Sequence, residues 1–193
     1  MEGQQQRARP MPVIAIIYAT TEGQTRKIAE AVANRFGALG WSAKLFDAAD
    51  KPGADALKGA DAAILAGSLH VHNYQTALFH FAKKNAGALN AMPTAFCAVS
   101  LSAMGDPDEK DGAAECAEKF FDKTGWRPAM TEHVAGALRF TRYDFFKTWI
   151  MKRIARDHGM NVNTSEDTEY TDWEALDAFC DVFAERAAAA LQG

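Results

Sequence analysis

Several things are scarce in this chain, and each scarcity removes a class of protein. No apolar run approaches the ~20 residues that a membrane-spanning helix needs. Cysteine occurs three times, at Cys97, Cys116 and Cys180, an odd number with no C-x-x-C, so the thiols read as reduced rather than as a disulfide framework or redox pair. Basic residues are outnumbered, 21 Lys and Arg against 25 Asp and Glu for a net charge of −4, which lacks the footprint of a nucleic-acid binder. The G-x-x-x-x-G-K-[ST] loop of nucleotide triphosphatases, the dinucleotide fingerprint G-x-G-x-x-G and the nucleophile elbow G-x-S-x-G are all missing. What is plentiful is apolar side chain, 48% of the 193 residues, which excludes a disordered chain and suffices for one domain with a sizeable core. Residues 1–12 are polar and Arg-containing with no apolar h-region; they are expected to be a flexible N-terminal extension rather than a secretory signal.

The most telling stretch is Val13 to Arg26. A β-branched apolar run, Val13-Ile14-Ala15-Ile16-Ile17-Tyr18-Ala19, reads as a buried parallel strand. It empties into Thr20-Thr21-Glu22-Gly23-Gln24-Thr25, and a helical pattern follows at once through Ile28, Val32, Phe36 and Leu39, with Gly37 or Gly40 to end it. A strand, a short polar loop and a helix N-terminus offer several backbone N–H groups to an anion. Hydroxyls and an amide without a Lys suit one phosphomonoester held by neutral donors, which is how flavodoxins hold FMN. The plainer alternative is an ordinary turn capped by Thr.

Strands and helices alternate down the rest of the chain. Ser42 to Asp47 is expected as a second strand, with a weak helix after Pro52-Gly53, and Ala62 to Ser68 as a third. One amphipathic helix is expected over Leu78 to Leu89, a fourth strand over Thr94 to Leu101, a helix over Asp111 to Lys123 and a fifth strand over Thr131 to Ala137. Thr171-Asp172-Trp173-Glu174 reads as a capping box for a terminal helix whose inner face carries Leu176, Phe179, Cys180, Phe183 and Ala187. This alternation implies an α/β fold, a five-stranded parallel sheet of order 2-1-3-4-5 with helices on both faces. Residues 13–191 form one domain, with a ligand at the carboxyl ends of the strands.

Two more strand exits are candidates to line that site. Gly67-Ser68-Leu69-His70-Val71-His72-Asn73-Tyr74 offers small residues, Gly and Ser, for a close approach to a flat ring and Leu, His and Tyr to cover it. Ser100-Leu101-Ser102 is again small and polar. The alternating His70 and His72 suggest a metal pair, but no third ligand stands at useful spacing, so no metal is assigned.

Between the fifth strand and the last helix, where ~2–6 residues would do, the chain spends Leu138 to Tyr170. This insertion holds Arg139, Arg142, Lys147, Lys152, Arg153 and Arg156, six of the 21 basic residues, interleaved with Phe140, Tyr143, Phe145, Phe146, Trp149, Ile150 and Ile154. On a helical wheel most of the aromatics share one half, interrupted by Arg153 and Arg156. Three roles remain open for it: a cover for the core or another subunit, a platform for a flat carboxylate-bearing substrate, and contact with an anionic membrane surface.

Five blocks carry a resemblance over nearly the whole chain: Thr20-x-x-Gly23-Gln24-Thr25-Arg26, Met92-Pro93-Thr94-Ala95-Phe96, Trp126-Arg127-Pro128, Ala135-Gly136-Ala137-Leu138-Arg139-Phe140-x-Arg142-Tyr143, and Tyr170-Thr171-Asp172-Trp173. With them the sequence resembles the flavodoxin-like, quinone-dependent protoporphyrinogen IX dehydrogenases of bacteria, whose basic, aromatic insertion falls at the same point. Two loops depart from the pattern: residues 69–74, which differ from the family's Arg- and Tyr-rich version, and the stretch Asp106, Asp108, Glu109 and Asp111, acidic where the family's is basic.

The resemblance implies an FMN oxidoreductase of haem synthesis. It would oxidise protoporphyrinogen IX to protoporphyrin IX and pass electrons to a membrane quinone, menaquinone or ubiquinone, from a cytoplasmic position on the inner face of the membrane. FMN would sit on Thr20 to Thr25, Ser68 to His72, Tyr74 and Ser100 to Ser102, and the substrate propionates on Arg139, Arg142 and Lys147. Self-association into a homo-oligomer is open. The alternatives are a flavodoxin-like electron carrier and an NAD(P)H:quinone reductase.

Overall fold

The computed structural model describes residues 11–70, 72–104, 107–138 and 168–192. Five parallel strands, β1 (Val13–Ala19), β2 (Ser42–Asp47), β3 (Ala62–Ser68), β4 (Thr94–Ser100) and β5 (Met130–Ala135), stand in the order β2-β1-β3-β4-β5, as the alternation predicts. Strand order reverses between β1 and β3, Ile14 lying opposite Ala62 and Ala19 opposite Gly67, which opens a crevice at their carboxyl ends.

The β-branched runs are needed because the central strands are covered on both faces. Ile14, Ile16, Ile64, Ala66, Cys97 and Val99 face one way, against Ile28, Val32 and Phe36 of α1 (Gln24–Ala38) and Leu176, Phe179 and Phe183 of the terminal helix. Ile17, Leu65, Phe96 and Ala98 face the other, against Leu78 and Phe81 of α2 (Thr76–Lys84), Leu89 of α3 (Ala86–Asn90) and Phe120 and Phe121 of α4 (Pro107–Thr124). The terminal helix, α5, runs Trp173–Ala190. The second core centres on an aromatic cluster in which Phe96 stacks on Phe120 at 5.5 Å and meets Trp126 edge-on at 5.7 Å. Trp126, fully buried, donates its indole N–H to Thr94 Oγ1 at 3.0 Å.

Several element boundaries differ from expectation, each for a local reason. The helix over Leu78 to Leu89 is two: buried Asn85 closes the first with both its backbone N–H (3.1 Å) and its side-chain amide (2.9 Å) on the Phe81 carbonyl, and its own carbonyl accepts the Leu89 N–H at 2.9 Å to open the second. Helix α1 runs through Gly37 and is stopped at Gly40, whose φ of +83° a side chain would resist. The fourth strand ends at Ser100, and Leu101–Met104 is a 3₁₀ turn. Helix α4 starts at Pro107, four residues early, since Pro suits a first helical turn. The fifth strand ends at Ala135, not Ala137; Gly136 gives its N–H to the Ser100 carbonyl at 3.1 Å, and the chain leaves the sheet. Ala137–Leu138 (β6) instead pairs antiparallel with Thr168–Glu169 (β7), a two-stranded ribbon at the root of the insertion. The capping box is also corrected: Asp172, not Thr171, caps α5 by accepting the Ala175 N–H at 2.9 Å. The Thr171 hydroxyl is used elsewhere.

Candidate functional site at the strand ends

The crevice is a cavity of about 360 Å³. It is lined by Thr20, Glu22, Gln24 and Thr25 after β1, by Ser68, Leu69, His70 and His72 after β3, and by Ser100, Leu101 and Ser102 after β4. Three loops far apart in sequence thus meet where the strand order reverses.

The β1 loop is built around a left-handed residue. Gly23 sits at the N-cap of α1 with φ +91°, which spares it the cost a side chain would meet there, and its N–H bonds back to Thr20 Oγ1 at 2.8 Å. Having accepted that bond, the Thr20 hydroxyl keeps its own proton to donate. The first bond of the α1 ladder runs from Lys27 N–H to the Gly23 carbonyl, so the amides of Gln24, Thr25 and Arg26 precede it at the positive end of the helix. Thr25 is 1% exposed, and among the described residues its Oγ1 is the buried side-chain polar atom with no protein partner. Buried hydroxyls are rarely left so, and this one lines the cavity.

The other walls are held by side chains that sequence reasoning passed over. Gln75 accepts the Ser68 N–H at 3.1 Å and donates to the Ser68 hydroxyl and to Thr21 Oγ1 at 3.2 Å. Thr21 therefore points to this staple and not into the cavity. Leu69 N–H bonds to the Val99 carbonyl at 2.8 Å, and buried Ser100 accepts the Ala103 N–H at 3.1 Å, which sets the third loop. His70 and Asn73 exchange backbone bonds across a tight turn, with His72 at φ +63°. His72 Nδ1 lies 3.9 Å from Cys116 Sγ on α4. Partial burial pushes the His70 imidazole below its usual range, leaving it neutral at pH 7.

Tyr74 is not in the cavity. It lies in the second core, edge-on to Phe96 at 5.1 Å and Phe120 at 5.2 Å, with burial pushing its phenol up. Gly67, expected to admit a ring, instead admits the protein: a Cβ there would stand 2.6 Å from Leu78 Cδ2 and 3.1 Å from Tyr74 Cδ1. Val71, Arg139, Arg142 and Lys147 lie outside the described residues. Val99, at the end of the fourth strand, lines the cavity as well; Asp108, Glu109, Gly112, Ala113, Gly136 and Ala137 line it and were not anticipated. Pro107 after a strand-four loop was the available signal, since a helix beginning there aims its first turn at the crevice.

Electrostatically the site is unusual for one that suits an anion. Glu22, Asp108 and Glu109 line it, and among the described residues no Lys or Arg does. An anion there would rest on helix amides and hydroxyls. Among the described residues no group of three or more His, Cys, Asp or Glu is arranged to hold a metal, and no helix is long and apolar enough to cross a membrane. The three cysteines are free and buried.

Comparison with known proteins agrees with the topology. The flavodoxin domain model matches residues 15–165. The protoporphyrinogen IX dehydrogenase (quinone) of Escherichia coli is 32% identical over 166 residues, covering 85% of this chain and 90% of that one. The protein of the same name from Leishmania major is 28% identical over 180 residues, 92% of this chain and 77% of its own length. Among solved structures, a short-chain flavodoxin associated with a bacterial microcompartment superposes with a TM-score of 0.59 at 14% identity, over 92% of this chain and 99% of its own. The chain belongs to the flavodoxin domain family and is an oxidoreductase.

Proposed function

We propose that the chain is an FMN-dependent dehydrogenase that oxidises protoporphyrinogen IX to protoporphyrin IX and delivers the electrons to a membrane quinone. The observation that carries the FMN assignment is the Thr25 hydroxyl, buried without a protein partner beside the first amides of α1. A phosphomonoester would supply its acceptor. The cavity also falls within the ~300–1,000 Å³ of small-molecule sites. The substrate and acceptor rest on the names of relatives that share most of this chain's length.

When bound, the flavin supplies a two-electron acceptor at its N5. The chain's own part is placement. Thr20, Thr25 and the amides of Gln24 to Arg26 would hold the phosphate with neutral donors, and Gly23 shapes the turn. Ser68, Leu69, His70 and His72 on one side, and Ser100, Leu101 and Ser102 on the other, would wall the ring. Of the remaining loop residues, Thr21 and Tyr74 would support those walls from behind, and Val71 would belong to the first. No side-chain acid or base is assigned.

Arg139, Arg142 and Lys147 would pair with the substrate propionates, and the aromatic part of the insertion would bring the protein to the bilayer surface where quinones reside. The acidic lining from Asp108 and Glu109 favours a second reading, an electron carrier that docks through this rim.

Complementation separates the two. A strain lacking its own protoporphyrinogen oxidase should regain haem synthesis with this gene, in a manner dependent on a respiratory quinone. Failure despite soluble, FMN-loaded protein would favour the carrier.

A further inference from the structure

The helix that carries the phosphate turn is also fastened to the root of the insertion. Gln24, the first residue of α1, donates from Nε2 to Thr171 Oγ1 at 2.9 Å, and that hydroxyl donates to the Ala135 carbonyl at 2.8 Å. Lys27, on the same turn of helix, pairs with Glu169 Oε2 at 2.5 Å and lies 5.2 Å from the Trp173 ring. Tyr170 N–H bonds to the Gly136 carbonyl at 3.2 Å. One helical turn thus reaches the chain before the β6–β7 ribbon, at Ala135 by way of Thr171, and holds its last residue, Glu169, and the segment after it as far as Trp173.

Gln24 stands at the centre of this arrangement. Its backbone amide precedes the α1 ladder and lies among those open to an anion, while its side chain, 7% exposed, is committed to Thr171 at 9% exposed. Thr171 in turn is free for the task because Asp172 does the capping. An anion that fixes the Gln24 backbone therefore narrows the positions open to Thr171, and through it to both ends of the ribbon. Gly136 and Ala137 also line the cavity, so the ribbon begins at the wall of the site.

We propose that Gln24 and Thr171 are positioning residues coupling the anion held at the α1 N-terminus to the β6–β7 ribbon. Cofactor phosphate then sets the base from which the insertion departs. This rests on the FMN reading of the site. Coupling is reciprocal: a substrate or partner that favours the set ribbon tightens FMN by the same factor as FMN favours it. Loading with cofactor and presentation of the insertion become one equilibrium.

Amide hydrogen exchange of the whole chain, followed in peptides covering 134–138 and 168–172, tests the coupling with apoprotein, FMN and riboflavin. FMN should slow exchange there and riboflavin, without a phosphate, should not. Thr171→Val should bind FMN about 5-fold more weakly, the low end of site-to-site coupling, with riboflavin affinity unchanged. It should also lose the FMN-dependent protection, and Thr171→Ser should restore both. Should Thr171→Val not fold, Lys27→Gln, which removes the surface grip on Glu169 and Trp173, should weaken the same protection. Equal protection by FMN and riboflavin in a protein that prefers FMN would overturn the coupling and leave the cofactor reading standing. Full FMN-dependent protection in Thr171→Val, or in Lys27→Gln where that variant has to serve, would overturn it likewise. A protein that binds the two flavins equally would overturn both.

Discussion

Gln75 donates its side-chain amide to the Thr21 hydroxyl at 3.2 Å across 54 residues of sequence, joining the β1 loop to the β3 loop on one wall of the cavity. The same amide group serves Ser68 on its backbone N–H and its hydroxyl. Gln75→Ala strands the part-buried Ser68 N–H and should cost about 1–3 kcal/mol of stability. Both loops would loosen, so FMN affinity should fall in the same variant. Urea denaturation and flavin titration check the two effects; unchanged values for both would show the staple to be incidental.

Gly67 makes a sharper claim about packing. Because a Cβ would stand 2.6 Å from Leu78 Cδ2, and Leu78 is fully buried, Gly67→Ala should force α2 away from the sheet at about 1–3 kcal/mol. The denaturation midpoint should drop with little change in slope. A neutral variant would show that Leu78 can move aside.

The sheet was legible because its cause is local and repeated. Runs such as Val13–Ala19 and Thr94–Ser100 are apolar on both faces, which only a doubly covered strand requires, and the order of five strands follows from the alternation with helices. The β1 turn was legible for the same reason, since its residues are contiguous. Gln75 was not, because its partners Ser68 and Thr21 belong to other segments, and a lone Gln after Tyr74 carries no pattern. Tyr74 was misplaced because an aromatic next to a cofactor loop looks the same in sequence whether it faces a ligand or Phe96 and Phe120. Thr171 misled for a related reason: its spacing to Glu174 fits a capping box, yet Asp172 one residue on takes the Ala175 N–H and leaves Thr171 for Gln24.

His70, at the cavity wall, gives stability a pH dependence. Burial lowers the folded-state pKa of His70 below its ordinary 6.5. Between the two values the unfolded chain binds more protons than the folded one, so stability is full above about pH 6.5 and declines as the pH falls below it. His70→Gln should flatten that decline in thermal unfolding measured from pH 7.5 downward. An identical slope in wild type and variant would mean that other groups produce it.

In the proposed reaction protoporphyrinogen IX reduces a flavin seated on Thr20, Gln24 and Thr25. Anaerobic mixing of the FMN-loaded protein with protoporphyrinogen IX, followed by absorbance and porphyrin fluorescence, tests it most directly. The flavin should bleach on mixing, and adding a quinone should restore its oxidised spectrum and let protoporphyrin fluorescence rise, because the six-electron oxidation needs three turnovers of a two-electron acceptor. A flavin that stays oxidised in the presence of excess substrate, in protein that holds its FMN, would contradict it.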